Sequence, residues 1–198
     1  MMGKTHSSVA IAAYCSCRLP NTLEEIPTWI TEISIVYFTS LLPDIDEPRS
    51  KIGSILLPVI PSWLRPLAFI VLSIILIILG ITKLNYLLIG LGLFILYLAM
   101  VKHRESITHS IVGLFSICAF LYLLNPTYLL PALIGYGSHI LVLDFITEKV
   151  SLFSPFSNRR FGITLLRTNS FFEKLLFYRG SQICIVWLLI LKYVLPKL

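Results

Sequence analysis

The chain has 198 residues, of which 57% are hydrophobic and 13% charged, and its mean hydropathy is +0.87. Soluble domains carry roughly 25% charged residues, so this composition excludes an ordinary soluble protein and indicates a membrane protein. A net charge of +6 could indicate nucleic-acid binding. In a membrane protein, however, lysines and arginines in loops on one side of the bilayer explain it, so we do not expect nucleic-acid binding. The cysteines form no CxxC pair and are typical of small apolar filler: Cys15, Cys17, Cys118 and Cys184.

The first two predicted helices are short for full membrane spans. One extends to about Arg18, before Pro20, and the next covers about Thr28–Leu42. Lys4 with the apolar run that follows resembles a signal peptide, but Tyr14 and Ser16 interrupt the run. We therefore expect an uncleaved first helix.

Five later apolar runs approach the ~20 residues that cross a bilayer. They are Trp63–Ile81, Leu84–Val101, Ile107–Leu124, Thr127–Ile146 and about Gly180–Leu195. The pattern predicts an all-α, polytopic membrane helical bundle with about five clear spans plus two short N-terminal helices, in one domain over residues 1–198. Within it, Ser151–Arg179 is a basic and aromatic segment typical of a membrane interface.

Alternating these crossings places most lysines and arginines on the side of the N-terminus, which predicts a multi-pass protein of the cell membrane with a cytoplasmic N-terminus. The same alternation brings four polar motifs to that side. They contain all four histidines and all three aspartates of the chain.

The first motif is Leu42-Pro43-Asp44-Ile45-Asp46, where two carboxylates are separated by one residue. Between two prolines we expect extended backbone, which directs both carboxylates to the same side. Such a pair can hold one cation or bridge two. Taken alone, the motif fits a solvated turn equally well.

The second motif, His103-Arg104-Glu105-Ser106-Ile107-Thr108-His109, stands where a helix begins, with Ser106 or Thr108 as the expected cap. The helix dipole disfavours protonated histidine there, and neutral imidazole is the form that binds metal. Zn²⁺ accepts histidine and aspartate together. For either histidine alone, a loop or interface role is the simpler interpretation.

The third motif places Ser138, His139, Asp144 and Thr147 in an apolar span, where ionisable residues face the protein interior and serve a function. His139 and Asp144 are five residues apart, or about 140° around a regular helix. Sharing one metal would require a distortion such as a π-bulge, or other elements that meet both residues. His6, beside Thr5, is the weakest of the four signals.

One site explains these residues better than separate accounts, because no histidine or aspartate exists elsewhere in the chain. The alternatives are two metals, or one metal with the remaining groups as general base and supporting residues. Structural zinc more often uses cysteine, and none is near these motifs.

The motifs in this order resemble the YdjM-type membrane-bound, predicted metal-dependent hydrolases, a family related by motif to zinc-dependent phospholipase C-like proteins. The resemblance rests on His6, "LLPDIDEPRSKIG", "HRESITHS" and "GYGSHILVLDFIT". It implies one or two divalent ions, zinc by preference, with Arg104, Ser138 and Thr147 as supporting residues. The implied ligands are His6, Asp44, Asp46, His103, His109, His139 and Asp144. The spacings His103 to His109 and His139 to Asp144 are one residue longer than is usual in the family.

The expected function is a hydrolase at the cytoplasmic membrane face that acts on a phospholipid or another phosphoester, with Asp46, His109 and Asp144 as catalytic candidates. Arg159, Arg160 and Arg167 could hold anionic headgroups there. Two other classes stay open: a membrane metal-binding or transport protein, and a scaffold whose metal site is structural.

Overall fold

The computed structural model describes residues 2–47, 50–100, 107–157 and 159–195, without the side chains of Asp46 and Leu98. Within this part of the chain the secondary structure is helical and contains no strand, which confirms the all-α prediction. A single antiparallel bridge joins Val150 to Phe161.

The α-helices are α1 (Gly3–Cys17), α2 (Ile26–Thr39), α3 (Lys51–Leu56), α4 (Arg65–Thr82), α5 (Tyr86–Met100), α6 (Ile111–Leu124), α7 (Leu129–Gly137), α8 (Asp144–Thr147) and α9 (Gly180–Tyr193). Short 3-10 segments include Leu42–Asp46 and Ile107–His109. A π-helix over Ser138–Leu143 joins α7 to α8, and another over Glu173–Arg179 leads into α9.

By length and composition, three helices in the described residues are able to cross a membrane: Ser62–Thr82, Pro126–Thr147 and Glu173–Tyr193. Two shorter apolar helices, Tyr86–Tyr97 and Ile111–Leu124, stand where the other two spans were expected. The last span begins earlier than the predicted Gly180, because the π-helical segment before it continues the same helix.

Helices α4 and α5 form a hairpin that turns its apolar side chains outward. A Cβ on Gly80 would lie 2.6 Å from Ile89 Cγ1, and one on Gly92 would lie 2.7 Å from Ile77 Cγ1. Small residues at these contacts let the two helices approach closely, as in membrane bundles. Leu67, for example, is 55% exposed on the outer face. Exposed apolar side chains of this kind are favourable in hydrocarbon and unfavourable in water.

Helices α1, α2, α6 and α7 pack around the interior of the bundle. Leu114, Cys118 and Tyr136 are buried together between α6 and α7, while Tyr14 and Val36 are buried together between α1 and α2. Of the cysteines, Cys15 and Cys118 are buried as filler, whereas Cys17 and Cys184 are exposed. The helix that contains α7 therefore has the interior position, with neighbours on several sides.

Candidate metal centre

Five ionisable side chains from four segments meet at one end of the bundle. His6 comes from α1, and Asp44 and His109 come from two 3-10 segments. His139 and Asp144 come from one continuous helix, at its π-helical part and at the start of α8. All are at most 1% exposed except the Asp44 side chain, which is 17% exposed. The predicted convergence is therefore present for these five residues.

The distances between the acidic and basic atoms are long for hydrogen bonds. His109 Nε2 lies 3.5 Å from Asp44 Oδ1 and 3.4 Å from Asp144 Oδ2. His139 Nε2 lies 3.5 Å and 3.3 Å from the same two oxygens. Charge-assisted hydrogen bonds are usually about 2.7–2.9 Å long. Ligands about 2.0–2.1 Å from a tetrahedral zinc ion are about 3.3 Å apart, so these atoms have the separations of ligands around one ion.

His6 lies on the other side of the Asp144 carboxylate. Its Nε2 atom is 3.7 Å from Asp144 Oδ1, and its ring stacks on that of His139 with centroids 3.8 Å apart. Two sets of residues in the described part could each hold a metal ion, one of His6, Asp44 and His139, the other of His109, His139 and Asp144. The ligand atoms of each set lie within 4.8 Å of one another.

The π-helix over Ser138–Leu143 is what allows His139 and Asp144 to share a site. The backbone N–H of Asp144 donates to the carbonyl oxygen of His139, five residues earlier. A π-helical hydrogen bond therefore places residues i and i+5 on the same side, where a regular helix would not. The distortion expected from the five-residue spacing is confirmed.

Hydrogen bonds at Nδ1 orient the two histidines that face the carboxylates. His139 Nδ1 lies 2.6 Å from the carbonyl oxygen of Ser40 and so must donate its proton, which leaves Nε2 with its lone pair. His109 Nδ1 lies 3.3 Å from Thr108 Oγ1. The partner of His139 is a backbone carbonyl, which every residue has. The amino-acid sequence therefore gave no sign that Ser40 orients His139.

A glycine contact brings the Ser40 carbonyl to His139. A Cβ on Gly135 would lie 2.1 Å from Thr39 Oγ1 and 2.7 Å from the Val36 carbonyl oxygen, so α2 and α7 touch through backbone at this point. Gly137, in the same motif, has no such neighbour within 4 Å. The GYG sequence thus contains one glycine that the packing requires.

The segment that carries His109 is positioned from α6 and α7. The Tyr136 hydroxyl donates to the carbonyl oxygen of Thr108. A Cβ on Gly113 would lie 2.8 Å from that hydroxyl oxygen and 2.4 Å from the Ile107 carbonyl oxygen. Tyr136 and Gly113 therefore support the site, although sequence analysis had not assigned a role to either.

The charges of the cluster shift the pKa values of its members that lie outside the spans. Burial raises the pKa of Asp44, but the facing His139, His109 and His6 outweigh burial and hold it well below its usual range. Burial lowers the pKa of His109, but the neighbouring Asp144 and Asp44 carboxylates raise it overall. Asp44 is therefore a carboxylate at neutral pH, the form that binds cations.

The buried histidines and aspartates on an apolar helical bundle agree with the family to which the whole sequence belongs. The chain belongs to the YdjM inner membrane protein family. The model of that family matches residues 1–196, which confirms the resemblance drawn from the motifs. Comparison with curated proteins and with solved structures found no significant match.

The prediction of extended backbone at Asp44 and Asp46 is wrong. Leu42–Asp46 is a 3-10 helix with Pro43 in its first turn, where the fixed φ of proline fits. At three residues per turn, positions two apart are about 240° apart around the helix, so this backbone does not place positions 44 and 46 on one side as a strand would. The side chain of Asp46 lies outside the described structure, as do His103 and Arg104 entirely.

The expected helix cap and two supporting hydroxyls are placed elsewhere. Ser110, not Thr108, caps α6 by accepting from the Gly113 N–H, and Ser106 lies outside the described residues. The Ser138 hydroxyl donates to the Gly135 carbonyl oxygen, and that of Thr147 to the Leu143 carbonyl oxygen. Both hydroxyls therefore bond to their own helix, next to the ligand residues.

Proposed function

We propose that this protein is a membrane-bound metal-dependent hydrolase that cleaves a phosphoester, such as that of a phospholipid, at the cytoplasmic face of the membrane. One observation carries the proposal: each of two buried histidine nitrogens lies 3.3–3.5 Å from each of two aspartate oxygens. Buried charges are costly unless they are paired or coordinate a metal. The long separations favour coordination.

In this proposal His109, His139, Asp44 and Asp144 hold a zinc ion. A bound zinc ion would polarise a phosphoryl oxygen and lower the pKa of a bound water to about 7. The chain's own contribution is orientation, because Ser40 and Thr108 hold the Nδ1 sides of the two rings.

His6 is the residue best placed for a second task. It faces the Asp144 oxygen that His109 and His139 do not approach, and its Nδ1 atom lacks a hydrogen-bond partner in the described structure. It would either bind a second ion together with Asp144 Oδ1, the oxygen that it faces, or accept the proton of the attacking water. Measured metal content distinguishes these roles, since only the first gives two ions per chain.

The cytoplasmic orientation is supported by exposed basic and aromatic residues on the segment that follows α8. Arg159 and Arg167 are exposed there, as are Phe156 and Phe171. Such a segment suits an interface with anionic headgroups. An impermeant maleimide added to intact cells tests the orientation through Cys17 at the opposite end of α1, with the other cysteines changed to serine; labelling supports a cytoplasmic site.

Ion transport is less well supported, because the described residues do not continue the cluster toward the other side of the bundle. Beyond His6, α1 and α2 meet through buried Ala10 and Val36. The next buried carboxylate, Glu32, is bound by Tyr14 and Arg18. A zinc flux in proteoliposomes that requires His139 would favour transport over hydrolysis.

Activity of purified protein tests the proposal. Zinc- or manganese-loaded protein is expected to release product from a panel of phospholipids and soluble phosphodiesters, and His139→Ala is expected to lower the rate at least 100-fold because a ligand is lost. Gly137→Ala serves as a matched control on the same helix and keeps the rate. If metal is retained but no substrate turns over, and chelation lowers the unfolding temperature, the site is structural, as in a scaffold.

A further inference from the structure

An apolar cavity of about 160 Å³ lies beside the metal centre. It is enclosed by the Leu42–Asp46 segment, by α5 and by the beginning of α6. Leu42, Ile45, Phe94, Ile107, Ile117 and Tyr136 line it. Nothing in the proposed metal chemistry requires this cavity.

The cavity and the metal centre share their walls. Asp44 stands between Leu42 and Ile45, which face the cavity, and His109 directly follows Thr108, which lines it as well. The Tyr136 hydroxyl joins this wall to α7 through the Thr108 carbonyl oxygen. A molecule in the cavity would therefore lie against the two short segments that carry Asp44 and His109.

The cavity extends from the level of the metal centre into the membrane region. Helix α6 begins beside His109, and Ile117 lies about 10 Å further along the axis from Ser110. Phe94, 46% exposed, and the exposed Ser116 stand at the outer side, which faces the surroundings of the bundle. In a bilayer the surrounding apolar material is hydrocarbon.

We propose that this cavity holds a segment of the hydrocarbon chain of an amphiphilic substrate whose phosphoester lies at the metal centre. The polar end at the cluster and the apolar end along α6 match the orientation of a lipid in its leaflet. A dry apolar cavity of about 150 Å³ accommodates a six-carbon ring, so about six carbons are accommodated here. This inference rests on the proposed function and names its substrate class.

Linear alkylphosphonates, which are not hydrolysed, test the proposal by binding. Their affinity for zinc-loaded, detergent-solubilised protein is measured by calorimetry for chains of one to ten carbons. Affinity is expected to rise by up to about fourfold for each methylene, through about six carbons, and then to level off. Methylphosphonate reports on the metal centre alone.

Ser116→Phe, which places a ring in the cavity, is expected to remove the dependence on chain length while leaving methylphosphonate affinity within twofold. Phe94→Trp fills the cavity from α5 and replaces the first variant if that one does not fold. Leu123→Phe is the matched control. It adds a ring on the same helix at a site that is 83% exposed and does not line the cavity, so any effect of detergent on an added ring is included.

Each result separates the two claims. Chain-length dependence in wild type and Leu123→Phe, but not in the filled variants, supports the cavity. Metal-dependent methylphosphonate binding with equal chain-length dependence in all variants overturns the cavity and leaves the hydrolase proposal standing. If no phosphonate binds to protein that retains its zinc, the phosphoester assignment is wrong and the cavity proposal fails with it.

Discussion

Two buried carboxylates at opposite ends of helix α1 have different surroundings. Glu32, fully buried, accepts a hydrogen bond of 2.6 Å from the Tyr14 hydroxyl and lies 2.8 Å from Arg18 Nη1. Asp144, 1% exposed, faces His6, His109 and His139 at 3.3–3.7 Å. Both are charged groups in an apolar bundle. The partners of Glu32 lie at the usual distance of a charge-assisted hydrogen bond, whereas these three histidines lie farther from Asp144.

This difference shows that burial of a charge does not by itself identify a metal site. Glu32 is neutralised by a cation and a hydroxyl in direct contact, an arrangement that joins α1 to α2. Around Asp144 the separations match those of ligands held by an ion between them. Substitutions at the two positions should therefore affect different properties of the protein.

The largest expected effect is on metal content. Asp144→Asn keeps the shape of the side chain but removes a charged ligand, so bound zinc should fall from near one ion per chain to below about a tenth. Glu32→Gln should keep its zinc. Elemental analysis of desalted protein measures both, and an equal loss of zinc from the two variants would contradict the distinction.

The second effect is on stability, and here the Glu32 variant, not the Asp144 variant, is expected to change. Glu32→Gln leaves Arg18 without its anion and should lower the free energy of unfolding by roughly 2 kcal/mol, at the low side because Arg18 is 38% exposed. Thermal unfolding in detergent measures this as a decrease of roughly 4–8 °C. Added zinc should stabilise this variant as it does wild type but should not stabilise Asp144→Asn; an unchanged unfolding temperature for Glu32→Gln would show that the ion pair contributes little.

A third prediction concerns the hydrogen bond from His139 to the Ser40 backbone carbonyl. The partners of Glu32 that are described above are side chains instead. Gly135→Ala would force α7 away from α2 and disturb that bond, so zinc affinity should fall about 10–100-fold. Gly137→Ala, where a Cβ has open space, should leave affinity unchanged and add up to about 1 kcal/mol of stability from helix propensity. Competition with a chromogenic chelator gives both affinities, and similar values for the two variants would argue against backbone positioning of His139.

The smallest effect is the pH dependence of zinc binding. The pKa of His109 is raised, so its proton is held to higher pH than that of an ordinary histidine, and zinc must displace it. Zinc affinity should therefore rise with pH, by up to about tenfold per unit, and level off above the raised pKa. Asp44, with its lowered pKa, adds no dependence in this range. An affinity that is constant between pH 6 and 8 would show that no histidine proton is released.

Much of the fold and site followed from patterns that belong to single segments. Apolar runs predicted the helices, and the exclusive placement of histidine and aspartate predicted which residues converge. The parts that could not be predicted depend on contacts between segments. The Ser40 carbonyl and the Gly135 contact arise from how α2 crosses α7, and the 3-10 backbone at Asp44 arises from how its loop meets the rest of the bundle.

The π-helix between His139 and Asp144 also affects how related sequences should be compared. An added residue in a regular helix rotates everything after it by about 100°, which would turn Asp144 and Thr147 away from the interior. Here the wider turn over Ser138–Leu143 places residues five apart on the same side, and Asp144 and Thr147 are buried after it. A one-residue gap at this place in an alignment is therefore compatible with the same constellation of side chains in both proteins.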